Sequence, residues 1–256
     1  MSFDIPPTHP RYHSLLFREK IVEGLHHKVV AEAGLFAHGR GESLDYFLGE
    51  ASQGFGRQAA RAVAARLLLA HHPVISVNGN AAALVPRELV ALSKEVNAPL
   101  EVNLFYRAPG REEAIEAVLK AEGAQEVYGV GEAASAEIPE ITHGRRRVDP
   151  RGILVADVVL VPLEDGDRTE ALVAMGKEVL TIDLNPLSRT AKKAHVTVVD
   201  NIVRALPLIV EAAKDLKTLP RSHWEAARTW DNGKNLAKAL KFYSERLAEL
   251  ALEAEL

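Results

Sequence analysis

Apolar residues along this chain follow two rhythms, and the change between them organises it. Leu15, Leu16, Ile21, Val22, Leu25 and Val29 recur at helical spacing with Arg18, Glu19 and Lys20 between them, the pattern of an amphipathic helix. Gly34 is expected to end that helical region. In Ala37-His38-Gly39-Arg40-Gly41-Glu42, two glycines surround an arginine. That predicts a tight turn whose backbone N–H groups face a ligand. Helix resumes over 42–48, and Arg57 to Ala70 is a run of high helix propensity.

Beyond Ala70, short apolar runs alternate with helical stretches. Residues 74–77, 100–105, 126–130, 155–161, 178–182 and 195–199 read as strands. Helices are expected over 86–96 and 111–122, up to Met175 with Asp167 or Thr169 as its cap, and from Ile202 to Leu216. Asn78-Gly79-Asn80 reads as a turn of left-handed character. Alternating strand and helix predicts a parallel sheet with right-handed crossovers. The tail from Pro220 reads as one or two helices. Its Leu236, Leu240, Tyr243, Leu247 and Leu250 form a stripe that can pack on the domain or on a second subunit. The expected fold is therefore α/β: Rossmann-like and doubly wound, with a mainly parallel sheet, a helical N-terminal layer and a helical tail. Residues 1–219 are expected to form one domain and 220–256 a helical extension of it. The least regular part is 131–150, with the basic knot His143-Gly144-Arg145-Arg146-Arg147, and an exposed loop is expected there in preference to a substrate-contacting loop.

Two stretches stand out, Val159 to Thr169 and Ile182 to Thr190. Each begins as an apolar run and ends in a dense polar cluster. The cluster then falls at the C-terminal end of a strand, where open α/β sheets bind ligands.

Composition narrows the function. The net charge of −4 removes a bulk electrostatic case for nucleic acid. With no Cys, disulfides, cysteine nucleophiles and cysteine zinc sites are excluded, and a cytoplasmic protein is expected. Met1 to Pro7 lacks the charged start and apolar run of a signal peptide. No segment reaches membrane-spanning length, so no membrane partner is expected.

The common nucleotide motifs are missing: there is no Gly-x-x-x-x-Gly-Lys-Ser/Thr and no Gly-x-Gly-x-x-Gly. The arginines say more. Arg18, Arg40, Arg107 and Arg189 stand at or near turns and strand ends, and a guanidinium recognises phosphate or carboxylate through a planar fork. Converging with Asn80, Asn103 and Asn185 they would make a polyanion site. Glu164, Asp165, Asp167 and Asp183 are candidates for holding Mg²⁺ or a ribose, while Asp165-Gly166-Asp167 is equally a turn with a helix cap.

Several long motifs occur in one order: His9-Pro10-Arg11, Arg18-Glu19, Ala37-His38-Gly39-Arg40-Gly41-Glu42, Ser76-Val77-Asn78-Gly79-Asn80, Glu101-Val102-Asn103-Leu104-Phe105, Val161 to Arg168, and Ile182 to Thr190. Together they resemble the archaeal phosphopantothenate synthetase family, also called 4-phosphopantoate–β-alanine ligase, from about Ile5 to Leu216. The resemblance implies an AMP-forming acid–amino-acid ligase of coenzyme A biosynthesis. It would join 4-phosphopantoate and β-alanine into 4′-phosphopantothenate, with ATP as co-substrate, and act as a homodimer. Carried over residue by residue, the ATP contacts are Arg18, Arg40, Asp183, Leu184, Asn185, Arg189, Thr190, Asn201 and Ile202.

The polyanionic substrates of such a reaction repel one another, so fixed cations and Mg²⁺ are expected. Arg40 and Arg107 are the candidates for transition-state charge. His38 either takes a proton from the β-alanine ammonium or orients Arg40. Two alternatives remain at this stage: another ATP-using ligase or kinase for a small phosphorylated acid, and a non-catalytic nucleotide-binding regulator.

Overall fold

The computed structural model describes residues 5–163 and 165–254. Met1 to Asp4, part of the signal-peptide reading, and Glu164, one of the Mg²⁺ or ribose candidates, lie outside the described residues.

Six parallel strands form the central sheet: β1 (Pro73–Val77), β2 (Leu100–Val102), β3 (Val127–Tyr128), β6 (Val158–Val161), β7 (Glu178–Ile182) and β8 (Val196–Val198). They lie in the order β3-β2-β1-β6-β7-β8. The direction of winding reverses between β1 and β6, paired in register Val74 to Val159 and Ile75 to Leu160. That is the doubly wound α/β fold expected from the alternation of strand and helix, with every pair of the sheet parallel. Two-residue periodicity decides what each face buries. Ile75, Val77, Leu160, Leu180 and Ile182 face one core with α3 (Gly54–Leu69), α5 (Pro86–Val96) and α9 (Ile202–Lys217). Val74, Val159, Val161 and Val179 face the other, against Leu172 of α7 (Gly166–Ala174).

The second face shows what the irregular segment is for. Ile138, Ile141, Val148 and Ile153 are buried against β6 and β7. The strands β4 (Ala136–Glu137) and β5 (Arg147–Val148) pair there as a two-stranded antiparallel ribbon. The expected exposed loop over 131–150 is thus corrected: much of it roofs a core. Its apolar residues are too widely spaced for a periodic signal, and burial against a distant sheet is what orders them.

The N-terminal layer differs from expectation at its glycines. After α1 (Tyr12–His26) the chain breaks at Lys28, which takes φ 63°. It re-enters helix as α2 (Glu32–Leu48), which runs straight through Gly34, Gly39 and Gly41 and ends at Gly49 with φ 84°. No tight turn forms at 37–42. Gly34 is required by packing: a Cβ there would overlap the Asn80 side chain and reach Val30 Cγ1 at 2.8 Å. Gly34→Ala should therefore lower unfolding free energy by about 1–3 kcal/mol, although alanine is the better helix former by about 1 kcal/mol. Urea denaturation measures the sign; a stabilised Gly34→Ala would rule out the close approach.

Asn78-Gly79-Asn80 is not a left-handed turn either. Asn78 caps α4 (Gly79–Leu84), its side chain accepting from the Ala81 N–H at 3.0 Å. The cap of α7 is Asp165, in place of Asp167 or Thr169. In the tail, α10 (Arg221–Arg228) precedes α11 (Asn232–Ala254), which buries Leu236, Ala239 and Tyr243 against Leu48, Phe55, Ala191 and Val199.

Candidate active site

A cavity of about 240 Å³ opens at the C-terminal ends of the strands, at the point where the winding reverses. Five of the six strand exits deliver residues to it. Asn78 follows β1, Leu104 and Phe105 follow β2, Leu163 follows β6, Asp183 to Asn185 follow β7, and Asp200 to Ile202 follow β8. Helix α2 closes the cleft, and its Gly34, His38, Arg40 and Gly41 line it. The Asn80 side chain donates to Gly34 O at 2.8 Å and ties α2 to α4.

The β7 exit is wound on itself. Asp183 accepts from the Asn185 N–H at 2.8 Å and from Ser188 Oγ at 2.5 Å, and Asn185 Oδ1 accepts from the Leu187 N–H at 3.0 Å. Ser188 then caps α8 (Arg189–Lys193). The tail helix supports this loop, because the Tyr243 hydroxyl donates to Leu184 O at 2.8 Å. At the β8 exit Asn201 caps α9 and its amide donates to Asp45 at 2.8 Å. Arg204 bridges Asp45 and Asp200, with Nη2 at 2.5 and 2.7 Å from them.

The sequence candidates divide accordingly. His38, Arg40, Asp183, Leu184, Asn185, Asn201 and Ile202 line one cavity. Arg18 stands one residue back, paired with the lining residue Glu42 at 2.7 Å. Burial works to raise the Glu42 carboxyl, but hydrogen bonds from Arg18 and Tyr46 and the Arg18 charge outweigh it and hold the pKa below the usual value. Besides Arg18, three candidates do not line the cavity. Arg107 is half-buried and held by Glu112, Gly144 O and Arg147 O. Arg189 is exposed and paired with Asp167. Thr190 is fully buried, its Oγ1 accepting the Asp165 N–H at 2.9 Å.

His38 makes no hydrogen bond to Arg40, and its Nε2 is buried without a partner among the described residues. Burial lowers its pKa below 6.5; Glu42 opposes the shift and Arg18 adds to it. The imidazole therefore stays neutral at neutral pH and able to accept a proton. His38, Glu42 and Asn201 also line a second cavity of about 380 Å³, bounded by Arg11, Ser14 and Phe17 of the N-terminal layer.

Sequence reasoning passed over the most heavily built part of the wall. Arg145, from the basic knot, is buried and lines the cavity. Its Nε lies 2.6 Å from Asp165 Oδ2, and the same oxygen lies 3.0 Å from Nε of the fully buried Arg168. Arg168 Nη1 donates to Ser76 Oγ at 2.6 Å and Asn103 Oδ1 at 2.7 Å. Asn103 in turn donates to Arg145 O and Arg147 O, both at 3.1 Å. The available signal was Ser76 within the apolar β1 and Glu101 and Asn103 in and just after β2, since buried polar groups need partners. Among the described residues no group of three His, Asp or Glu side chains stands where it could hold a metal ion.

Comparison with known proteins follows the same lines. The family model described as phosphopantothenate/pantothenate synthetase matches residues 55–246. The chain is 52% identical over 252 residues to the 4-phosphopantoate–β-alanine ligase of Thermococcus kodakarensis, covering 98% of this chain and 96% of that one. It is 49% identical over 251 residues to the enzyme of the same name from Methanosarcina mazei, covering 98% of each.

Proposed function

The chain belongs to the phosphopantothenate/pantothenate synthetase family, and from that membership we propose that it ligates 4-phosphopantoate to β-alanine, consuming ATP and releasing AMP and diphosphate. One observation carries the reading beyond family membership: the cleft at the reversal of the sheet is walled by Arg40, His38, Asp183 to Asn185 and Asn201, a set suited to a nucleotide beside a reacting acid. Asp183, Leu184, Asn185, Asn201 and Ile202 hold the nucleoside end of ATP, with Arg189 and Thr190 behind that loop. Arg40 binds the phosphates from α2, and Arg18 supports it through Glu42. Mg²⁺ travelling with the triphosphate belongs to the same reading, as do a homodimer and a cytoplasmic location. No helix among the described residues is long and apolar enough to cross a membrane.

A carboxylate is a poor acyl donor because its oxygen is a poor leaving group. In the proposed route a carboxylate oxygen of 4-phosphopantoate attacks the α-phosphorus of ATP and the bond to diphosphate breaks. The mixed anhydride then has AMP as a good leaving group. The free amine of β-alanine attacks the carbonyl carbon, and AMP departs with the oxygen that came from the carboxylate. Positioning and charge neutralisation supply most of the acceleration.

The decisive assay measures AMP formed from ATP with each substrate present or omitted. AMP that requires both 4-phosphopantoate and β-alanine is the expected result. ADP instead would mean phosphoryl transfer and reject the reading. The adenylate is tested separately with ¹⁸O in the 4-phosphopantoate carboxylate: the label should appear in AMP, and label in diphosphate overturns the route.

His38 is the base for the β-alanine ammonium in this scheme. His38→Gln should slow the amine step by about 10²-fold while leaving ATP–diphosphate exchange intact. Because the group acts in its neutral form and burial lowers its pKa, the acid limb of the amine step should lie below pH 6.5. An acid limb that persists unchanged in His38→Gln removes this role.

A further inference from the structure

Arg145 sits in an arrangement that protein structure seldom tolerates without an additional anion. Two guanidiniums, Arg145 and Arg168, share one carboxylate oxygen of Asp165, at 2.6 and 3.0 Å. Both arginines are buried, Arg168 to 1% exposure and Arg145 to 8%. The other buried acids nearby are committed elsewhere. Asp149 is matched by Arg151 at 2.9 Å. Glu101 accepts the N–H groups of Asp149 and Ile153, at 2.9 and 2.5 Å, and burial raises its carboxyl to about 7, so beside Arg168 it supplies only part of a negative charge. Among the described residues the cluster therefore carries more positive charge than negative, and a buried charge without full compensation is costly.

The excess is directed. Arg168 spends its fork inside the protein on Ser76, Asn103 and Asp165. Arg145 donates Nη1 to Asn103 O and approaches Asp165 through Nε as an ion pair without hydrogen-bond geometry, and its Nη2 makes no hydrogen bond among the described residues. Arg145 is also the member of the pair that lines the cavity. The other inward-placed arginine of this wall, Arg111, is consumed by the carbonyls of Lys28, Val29 and Tyr106.

We propose that Arg145 is the phosphate-recognition residue for the acid substrate: the phosphoryl group of 4-phosphopantoate docks on Arg145 and neutralises the shared-carboxylate pair, so that the enzyme selects the phosphorylated acid over pantoate. This inference rests on the ligase reading above. A phosphoryl dianion supplies the missing negative charge, and a planar guanidinium held on two sides presents its remaining edge in a fixed direction. Pantoate offers only a hydroxyl at that position, leaving the pair as unbalanced as in the free protein.

The test is the Arg145→Gln variant assayed for AMP formation with 4-phosphopantoate and with pantoate. The KM for 4-phosphopantoate should rise about 30–100-fold, the size expected for loss of a charge-assisted pair. The KM for ATP should change less than threefold, and the preference for 4-phosphopantoate over pantoate, read as the ratio of their kcat/KM values, should fall at least tenfold. A variant that keeps the wild-type preference, loses both acids equally, or weakens ATP instead overturns the assignment. If Arg145→Gln does not fold, Arg145→Lys decides: it keeps the charge and loses the fork, so about a tenfold rise in KM for 4-phosphopantoate alone is expected, and no rise rejects the proposal. A wild-type protein that makes no AMP from 4-phosphopantoate defeats the ligase reading separately. Inorganic phosphate binding, measured by calorimetry, then judges the site: Arg145→Gln should weaken it at least tenfold, and indifference to the substitution overturns it.

Discussion

Replacing Arg40 with alanine should lower the rate of ligation by about 10²–10³-fold while leaving the unfolding midpoint unchanged. Arg40 is exposed on α2 and lines the cavity. Removing its side chain therefore empties no core. The reaction concentrates negative charge, because a triphosphate meets a phosphorylated carboxylate before the amine arrives. A cation already fixed at that point stabilises the developing charge without reorganising, and in a cleft partly shielded from water its effect is larger than in solution. Steady-state AMP formation and chemical denaturation on the same preparation check both halves of the expectation. Near-native turnover in Arg40→Ala would reject it as a phosphate clamp. A matching loss of stability would mean that the arginine serves the fold instead.

The second large effect concerns the fold. Asp165→Asn is nearly isosteric and keeps an oxygen to cap α7, yet it should lower unfolding free energy by about 3–5 kcal/mol. Among the described residues, that carboxylate is the one that pairs with both buried guanidiniums, Arg145 and Arg168. Burial already lowers the pKa of Arg145 to about 9; the Arg168 charge adds to that shift and Asp165 opposes it. With the opposing charge gone, two buried cations face each other. Asp165→Ala should cost about 1 kcal/mol more through the lost helix cap. Combining Asp165→Asn with Arg168→Met should recover part of the loss, because it removes one of the two stranded charges. Guanidinium or urea titration reads all three variants. A loss under about 1 kcal/mol in Asp165→Asn would mean that the pair is solvated rather than buried.

The Asp165 cluster also shows why the two polar loops singled out in the sequence are unequal. Ile182 to Thr190 forms a self-bonded loop, with Asp183, Asn185 and Ser188 closing it through their own side chains. Most of its partners lie within five residues, so its polar pattern is readable locally. Asp165 and Arg168 have partners far away in the chain, at Ser76, Asn103 and Arg145. Local spacing recognised a turn and a cap there, and Asp165 does cap α7. The buried charge pair is invisible at that range.

What the chain by itself determines is the succession of elements. Strand exits, helix spans and the parallel order follow from apolar runs and periodicities a few residues long, and these are local properties of the polymer. The series of motifs from His9 to Thr190 was enough to recognise the family, to which the family model and relatives about half identical in sequence also assign the chain. Tertiary structure alone decides which charged side chains meet. Arg107 and Arg145 look alike in sequence, each an arginine in an irregular stretch. Folding commits the first to Glu112 and two backbone carbonyls and turns the second toward the cavity. Gly34 of α2 is decided the same way: locally it signals a helix end, but Asn80, brought against the helix from elsewhere in the chain, requires the absence of a side chain there. Burial and pairing depend on distance in space, and distance along the chain sets that only after the sheet has closed.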